Sequence, residues 1–308
     1  MANPETFLIW GAGGWIADLL TAHLRAHSRT VHATSVRLQN IHQVGAVLDE
    51  IKPTCVINCA GKTGRPNVDW CEDHKLETIE SNVIGALVLA GECAKRGVHL
   101  SVLATGCIYS SEYSPDRNTL LSAPFTESDP PNFSGSFYSL TKAHTEALLL
   151  HYPSTLILRL RMPVSDDLHA RSFVTKIKSY AHVVNVLNSH SILHDLLPLI
   201  PLLAEHRETG VLNFTNPGAI SHNEVLELYR DIVEPGFTWQ NFSLEEQAKV
   251  IKADRSNCGL DAGRLIGLVE KYRKEGSQVE VPEIREAYRG CFGRMKEEMQ
   301  SKAGAGVA

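Results

Sequence analysis

The sequence predicts an α/β fold: a Rossmann-type, doubly wound parallel sheet with a smaller, discontinuous C-terminal substrate lobe. A short apolar run at residues 7–10 leads directly into a glycine-rich loop, as a buried strand does before the first helix of such a sheet. Strand-like and helix-like segments then alternate as far as residue 160, which is typical of parallel sheets with helical crossovers. Beyond that point the pattern becomes mixed and poorer in strands.

The alternating segments predict the elements in chain order. Apolar runs indicate five strands, at 7–10, 30–34, 54–58, 100–104 and 154–160. Helical spacing of apolar residues indicates helices at 15–26, 41–51, 68–96 and 139–151, the third as one long helix. A helix at 194–205 and a strand at 210–215 follow, and we expect that strand to rejoin the sheet.

These elements suggest a division of the chain. We predict a dinucleotide-binding domain at 1–162, which residues 191–216 rejoin. Residues 163–190 and 217–290 are predicted to form the substrate lobe, and 291–308 a tail. The lobe is expected over the carboxyl ends of the strands, because open α/β sheets bind their ligands there.

Composition excludes several classes of protein. The 308 residues carry 30 basic and 35 acidic side chains, without the basic stripe that a nucleic-acid partner requires. Seven cysteines without a CxxC pair favour reduced thiols in a cytoplasmic protein. The first residues lack the features of a signal peptide, and charged residues interrupt the most apolar later segment, 147–164, so no membrane span is predicted. The fourteen histidines show no metal-binding spacing, so no metal site is predicted.

The glycine-rich loop predicts a dinucleotide site. Its sequence is Gly11-Ala12-Gly13-Gly14-Trp15-Ile16-Ala17. Glycine at 11 permits the tight turn, and glycine at 14 lets backbone amides approach a pyrophosphate at the helix N-terminus. A purely structural turn is the alternative.

The end of the second predicted strand bears on the choice of dinucleotide. An Asp or Glu there would bind the ribose of NAD, but residues 33–37 contain no acid and one arginine, Arg37. Pairing of Arg37 with a 2′-phosphate favours NADPH. NADH, with Arg37 as an ordinary surface residue, is the alternative.

Three further segments predict a reductase. Asn58-Cys59-Ala60-Gly61 ends a strand with small residues that let the cofactor ribose and nicotinamide lie close. Tyr138 and Lys142 lie one helical turn apart and so face the same side. The ammonium can lower the pKa of the phenol from its reference of about 10 and also hold the nicotinamide ribose. Thr105, at another strand end, can hydrogen-bond the same substrate oxygen.

On these residues the sequence resembles the extended short-chain dehydrogenase/reductase superfamily. Four longer motifs, at 64–72, 104–108, 132–139 and 213–218, resemble the bifunctional UDP-4-keto-6-deoxyglucose 3,5-epimerase/4-reductases that complete UDP-L-rhamnose synthesis. Shorter blocks at 37–40, 161–163 and 237–250 extend the resemblance over roughly residues 7–262. It fades beyond residue 265.

The resemblance implies two epimerisation residues. C3 and C5 of a 4-keto sugar carry acidic protons, and inverting them needs a base on one face and an acid on the other. Cys107, two residues beyond Thr105, is the implied base, because a nearby positive charge favours a thiolate; a small buried hydrophobe is the alternative. Lys176 is the implied acid. The alignment crosses a gap near residues 169–171, so Lys178 is an alternative, and a solvated surface lysine is another.

The resemblance also implies binding residues and partners. Met162 is added to the cofactor residues, and the implied substrate-binding residues are Arg65, Asn67, Asn82, Asn188, Asn216 and Arg255. The expected partner is a UDP-4-keto-6-deoxy sugar supplied by a 4,6-dehydratase on a separate protein, because the chain shows no fused dehydratase. The choice between UDP and dTDP stays open, as does the oligomeric state, a homodimer included.

Two other functions compete with this prediction. A reductase that receives an already epimerised sugar would not need Cys107. A non-catalytic NADP-binding regulatory subunit would need neither half of the chemistry, and the intact set of Thr105, Tyr138 and Lys142 argues against it.

Overall fold

A six-stranded parallel sheet forms the centre of the molecule. The computed structural model describes residues 5–117 and 119–305, so the predictions for the first four and last three residues lie outside the described part. The strands of this sheet are β1 (Thr6–Trp10), β2 (Thr30–Thr34), β3 (Cys55–Asn58), β4 (His99–Thr105), β5 (Thr155–Leu160) and β8 (Gly210–Asn213). Their order is β2-β1-β3-β4-β5-β8, so the chain reverses its winding between β1 and β3. This confirms the doubly wound fold and the return of the chain at β8.

Helices cover both faces of the sheet, because successive side chains of each strand point to opposite faces. On one face Phe7 and Ile9 pack with α1 (Trp15–Ala26), α8 (Leu193–Leu196), α9 (Leu199–Glu205) and α12 (Gly263–Lys274). On the other face Leu8 and Trp10 pack with α2 (Ile41–Ile51), α5 (Gly85–Lys95) and the end of α6 (Phe137–Leu149). Burial on both faces explains the continuous apolar runs in the strands.

The predicted long helix at 68–96 is wrong as a single element. It divides into α3 (Trp70–Asp73), α4 (Lys75–Ile79), a π-helical turn (Glu80–Ile84) and α5. His74 breaks the helix with φ −125° and ψ 50°, and its carbonyl accepts a hydrogen bond from the Thr78 hydroxyl. The helix predicted at 194–205 likewise divides at Pro198, the residue immediately before α9, because proline has no N–H to continue α8.

The substrate lobe is built from short elements around its own apolar core. It contains α7 (Phe173–Ile177), β6 (His182–Val183), β7 (Leu187–Asn188), β9 (Ile220–Ser221), α10 (His222–Ile232), β10 (Gln240–Asn241), α11 (Leu244–Ala248) and α13 (Ile284–Ala305). β6 pairs with β10, and β7 with β9. Tyr229 of α10 packs against Tyr288 and Phe292 of α13 in this core.

Two of the predicted boundaries do not match the structure. Helix α12, assigned by sequence to the substrate lobe, packs on the main sheet through Leu265, Val269 and Tyr272. No tail begins at residue 291, because α13 continues through it and buries Phe292 and Met295 in the lobe core. In the described part of the chain, no helix is long and apolar enough to span a membrane.

The lobe contains two buried histidines. Burial lowers the pKa of His222 to about 4, although a hydrogen bond with the Val186 carbonyl (3.0 Å from Nδ1) partly offsets the effect of burial. Burial also lowers the pKa of His190, well below its usual value. Both side chains are therefore neutral in the folded protein at pH 7.

We expect the protein to lose stability on acidification from pH 7 to pH 5. The unfolded chain binds a proton at His222 near pH 6.5, whereas the folded chain does so near pH 4. Acid therefore favours the unfolded state within this window, by about 2 kcal/mol at pH 5 from this residue. Urea unfolding at the two pH values measures the change, and His222→Gln should reduce it. An equal loss in that variant would contradict the assignment.

Candidate active site

One large cavity lies at the carboxyl ends of the strands. Its volume is about 1600 Å³, larger than the roughly 300–1,000 Å³ usual for a single small ligand. Residues that follow β1, β2, β3, β4 and β5 form one side, and segments of the substrate lobe form the other. The cavity therefore has room for a dinucleotide and a second ligand.

The glycine loop forms the floor of this cavity beside the start of α1. Gly11 has φ +106°, and a Cβ there would lie 2.9 Å from the backbone nitrogen of Ala60. A Cβ on Gly14 would lie 2.8 Å from the Gly11 carbonyl oxygen, and Gly13 has φ +79°. The loop thus excludes side chains at two positions and presents a bare backbone at a helix N-terminus. This cradle suits a dinucleotide pyrophosphate.

Other predicted cofactor residues lie around this loop. Arg37 is exposed at the cavity edge, on a segment that Trp10 holds through a hydrogen bond from Nε1 to the Val36 carbonyl (2.6 Å). Asn58 is buried, and its Oδ1 accepts the Ala60 amide (3.0 Å), so it shapes the loop that carries Cys59, Ala60 and Gly61 to the cavity wall. The remaining lining residues of the cofactor set are Trp15, Ile16 and Met162.

The predicted reductase residues Thr105, Tyr138 and Lys142 all line the cavity. Ser136 caps α6 by accepting the Ser139 amide at 3.0 Å, which orients Tyr138 and Lys142. Burial and the nearby Cys107 raise the pKa of Tyr138, while a hydrogen bond with Thr105 and the charge of Arg161 lower it. Tyr138 is therefore a neutral phenol that can donate a proton. Burial lowers the pKa of Lys142.

Cys107 lies beside this pair, at the cavity wall. Its amide donates to the Thr105 hydroxyl oxygen (3.1 Å), which fixes the turn after β4. Its sulfur accepts a hydrogen bond from Nη1 of Arg161 at 2.8 Å. Arg161 is the first residue of the block 161–163 that extends the family resemblance, and no sequence pattern assigned it a function. The signal in the sequence that could have indicated a function is that Arg161 is the second arginine, after Arg159, in an otherwise apolar segment around β5.

The structure separates the two candidate lysines of the epimerisation acid. Lys176 lines the cavity, and burial together with the charge of Arg171 lowers its pKa. Lys178 turns away from it: its Nζ donates to the Tyr229 hydroxyl and pairs with Glu234 at 3.2 Å. This geometry favours Lys176 over Lys178.

Four of the predicted substrate-binding residues line the cavity: Arg65, Asn67, Asn82 and Arg255. Nη1 of Arg255 pairs with Asp69 at 2.7 Å. Asn82, in the π-helical turn, accepts the Lys62 amide (2.7 Å) and donates to the Lys62 carbonyl (2.8 Å). Asn82 therefore holds the backbone of the cavity wall, and it occupies a distorted part of the helix as well.

The other two predicted substrate-binding residues are buried away from the cavity wall. Oδ1 of Asn188 accepts hydrogen bonds from Arg161 (2.6 Å) and from the Cys258 amide (3.0 Å). Asn216 accepts the Ile192 amide and donates to Asp195. The polar atoms of both side chains are engaged in hydrogen bonds within the protein. This geometry indicates that Asn188 and Asn216 support the site and do not contact the substrate.

A contact between the loop and the lobe was missed by sequence analysis. The indole of Trp15 stacks on His169 with ring centroids 5.2 Å apart, and its Nε1 donates to Asp167 (3.3 Å). The same lobe segment brings Arg171 to the cavity, where it bonds the Thr63 hydroxyl at 3.2 Å. No periodic pattern marks these residues in the sequence.

The charge of the cavity wall is opposite to that of the chain. The formal net charge of the protein is −5, but eight basic and three acidic side chains line the cavity. The basic residues are Arg37, Lys62, Arg65, Lys142, Arg161, Arg171, Lys176 and Arg255, and the acidic ones are Glu77, Glu80 and Asp254. Such a wall favours anionic ligands. The diphosphate of a dinucleotide is one such ligand, and a second ligand with a diphosphate would be another.

The parallel sheet, the glycine cradle and the Thr105–Tyr138–Lys142 set define a nicotinamide-dependent oxidoreductase of the short-chain dehydrogenase/reductase class. A family profile, the RmlD substrate binding domain, matches residues 5–189. The chain belongs to this family, and within it to the bifunctional 4-keto-sugar 3,5-epimerase/reductases that its sequence motifs resemble.

Individual relatives support this membership. The chain is 52% identical over 265 residues to a bifunctional dTDP-4-dehydrorhamnose 3,5-epimerase/dTDP-4-dehydrorhamnose reductase of Arabidopsis thaliana, covering 86% of this chain and 87% of that protein. The crystal structure of the L780 UDP-rhamnose synthase from Acanthamoeba polyphaga mimivirus superposes with a TM-score of 0.87 at 36% identity, over 95% of this chain and 100% of that one.

A trifunctional relative is longer than this chain. It is an Arabidopsis thaliana UDP-glucose 4,6-dehydratase/UDP-4-keto-6-deoxy-D-glucose 3,5-epimerase/UDP-4-keto-L-rhamnose-reductase, 48% identical over 260 residues. The match covers 84% of this chain but 39% of that protein.

Proposed function

We propose that this protein converts UDP-4-keto-6-deoxyglucose into UDP-L-rhamnose, by epimerisation at C3 and C5 followed by NADPH-dependent reduction at C4. The observation that carries the proposal is the shared cavity of Cys107 and the Thr105–Tyr138 pair. A carbonyl oxygen held by Thr105 and Tyr138 would place the carbons alpha to it near the Cys107 sulfur. One bound sugar could then undergo both reactions.

Epimerisation begins with the Cys107 thiolate. The sulfur removes the proton from C5, and later from C3. The electron pair of the broken C–H bond forms a carbon–carbon double bond, and the π pair of the carbonyl moves to its oxygen. Thr105 and Tyr138 hydrogen-bond the resulting enolate, which lowers the barrier to its formation. Lys176 then gives a proton to the opposite face of the carbon. Cys107 then releases its proton to water, and Lys176 takes up a proton from water.

Reduction follows on the epimerised sugar in the same pose. NADPH, when bound on the glycine cradle, supplies hydride for C4. Tyr138 gives its phenolic proton to the C4 oxygen, and the neutral state that burial imposes on it provides the acid in the form required. Lys142 lies one turn further along α6 and is proposed to hold the nicotinamide ribose.

Cations around the cavity would bind the diphosphate of the sugar nucleotide. We assign this function to Arg65 and Arg255, since arginine binds phosphate oxygens in a bidentate manner. The side chains of Asn67 and Asn82 accept hydrogen bonds from backbone amides of the adjoining cavity wall and so order that wall. Related proteins are named for either UDP or dTDP sugars; the choice of UDP here is part of the proposal.

The supply of substrate is also part of the proposal. We also propose that a separate 4,6-dehydratase supplies the 4-keto sugar. Trifunctional relatives are named for this dehydratase activity together with the two later activities. A cytoplasmic location and a homodimer stay predictions.

An isotope experiment tests the proposed function. The purified protein is incubated with UDP-4-keto-6-deoxyglucose and NADPH in deuterated water, and the product is examined by NMR. We expect UDP-L-rhamnose with deuterium at C3 and C5 and equimolar oxidation of NADPH. NADPH oxidation with a pre-epimerised sugar alone would instead indicate the reductase-only function, and inactivity with both sugars a non-catalytic protein. The relatives give neither alternative more support than the bifunctional function.

A further inference from the structure

Arg161 carries a positive charge in the interior without a carboxylate partner. The side chain is 2% exposed. Its hydrogen bonds in the described part of the chain go to the Cys107 sulfur, to Oδ1 of Asn188 and to the Ser256 carbonyl, and its Nε has no partner. A buried cation that is not paired with an anion is costly. The structure therefore calls for a negative charge near this guanidinium.

Arg159, two residues earlier in the chain, provides the contrast. It is equally buried, at 2% exposure. Its guanidinium binds both carboxylate oxygens of Glu146, with distances from 2.6 to 3.1 Å. One of these two arginines is thus neutralised within the protein by a carboxylate. The other has a cysteine sulfur in the corresponding place, at 2.8 Å.

We propose that Arg161 is a positioning residue that holds Cys107 as a thiolate, with the sulfur as the counter-ion of the guanidinium. This inference rests on the proposed function of Cys107 as the base of epimerisation. The Nη1 donor orients one lone pair of the sulfur, so the remaining lone pairs are available toward the cavity. When Cys107 takes the C5 or C3 proton, the S–H bond forms as the C–H bond breaks, and the negative charge moves to the enolate oxygen. Arg161 stays protonated throughout.

The lobe fixes this guanidinium from the side away from Cys107. Asn188 belongs to β7, and the Ser256 carbonyl belongs to the lobe segment after α11. The two acceptors hold Nη2 and leave Nη1 to the sulfur. This gives Asn188 a physical function that its burial away from the cavity wall otherwise leaves unexplained.

Other titratable groups face Arg161 from neighbouring elements. They are Cys258 and Tyr113, beside the turn after β4, Tyr138 on α6, and the buried histidines His190 and His222. The charge of Arg161 lowers the pKa of both histidines further, which keeps them neutral. None of them therefore supplies a compensating negative charge at neutral pH, because burial also keeps Cys258 and Tyr113 protonated.

The test uses Arg161→Gln and Arg161→Lys, with Arg159→Lys as the matched control. The first readout is the rate of deuterium incorporation at C3 and C5 at pH 7. The second is the pH dependence of Cys107 alkylation by iodoacetamide, followed by mass spectrometry of the peptide that contains it. The third is NADPH oxidation with a pre-epimerised sugar.

For Arg161→Gln we expect deuterium incorporation to fall roughly 10²-fold and the alkylation profile to move to higher pH by about one unit. NADPH oxidation with the pre-epimerised sugar should change far less. Arg161→Lys should recover part of the incorporation and of the alkylation profile, because it restores the charge. Arg159→Lys should leave the profile in place.

Different results would contradict the inference about Arg161 and the proposed epimerase function. Unchanged incorporation and an unchanged alkylation profile in Arg161→Gln would overturn the inference while leaving the proposed function intact. Equal losses in both half-reactions, with no shift of the alkylation profile and no recovery in Arg161→Lys, would show that Arg161 has a structural function only. That result would also overturn the inference. Failure of the unmodified protein to incorporate deuterium would instead contradict the epimerase function itself.

Discussion

Tyr138→Phe is expected to slow NADPH oxidation with a pre-epimerised UDP-4-keto sugar by roughly 10²–10⁴-fold. The variant keeps the ring, which is 8% exposed, but removes the proton that the C4 oxygen needs as hydride arrives. It also removes the hydrogen bond with Thr105. The measurement is the decrease in absorbance at the NADPH wavelength under saturating sugar.

Binding of the cofactor supplies the control for this variant. The glycine cradle does not involve the phenol, so the affinity for NADPH, measured by fluorescence, should change little. Deuterium incorporation at C3 and C5 should fall less than reduction does, because Thr105 still binds the enolate oxygen. Reduction at the unmodified rate would exclude Tyr138 as the proton donor.

Cys107→Ala is expected to reduce deuterium incorporation at C3 and C5 by a comparable factor, roughly 10²–10⁴-fold. The substitution removes the sulfur that takes the proton and leaves Arg161 without this hydrogen-bond acceptor. Reduction of a pre-epimerised sugar uses Thr105, Tyr138 and Lys142 and should continue. The two half-reactions should therefore separate in this variant.

Cys93→Ala is the matched control, since this thiol is buried in α5 away from the cavity. It should retain both half-reactions. Undiminished deuterium incorporation in Cys107→Ala would rule out the thiol as the base. Loss of both half-reactions together would indicate instead that Cys107 is needed to keep the shape of the cavity.

Local sequence patterns predicted the elements that bear the cofactor. The apolar runs of β1, β3, β4 and β5 are continuous because both faces of these strands are buried, and such runs can be recognised without neighbours. The turn of the glycine loop is equally local, since the φ of +106° at Gly11 favours glycine whatever its neighbours. Helical spacing places Tyr138 and Lys142 on one side of a helix, and the pattern became specific through Thr105 at the end of a strand.

Errors arose where neighbours outside the local segment decide the structure. Helix α12 was assigned to the lobe by its position in the chain, but Leu265 and Tyr272 find their apolar partners on the main sheet. The interruption at His74 and the π-helical turn depend on contacts such as that of Asn82 with Lys62, 20 residues earlier. Helical periodicity carries no information about such contacts.

Patterns in the sequence predicted the fold class, the dinucleotide loop, the reductase residues and, through long motifs, the family. They also named Cys107, but without its environment. The packing of distant segments places Arg161, 54 residues away, against that sulfur. It also turns Asn188 inward to hold Arg161 and brings Lys176 instead of Lys178 to the cavity. The physical reason is that a strand or a turn follows from neighbouring residues, whereas a buried charge acquires its partner only when distant segments pack together.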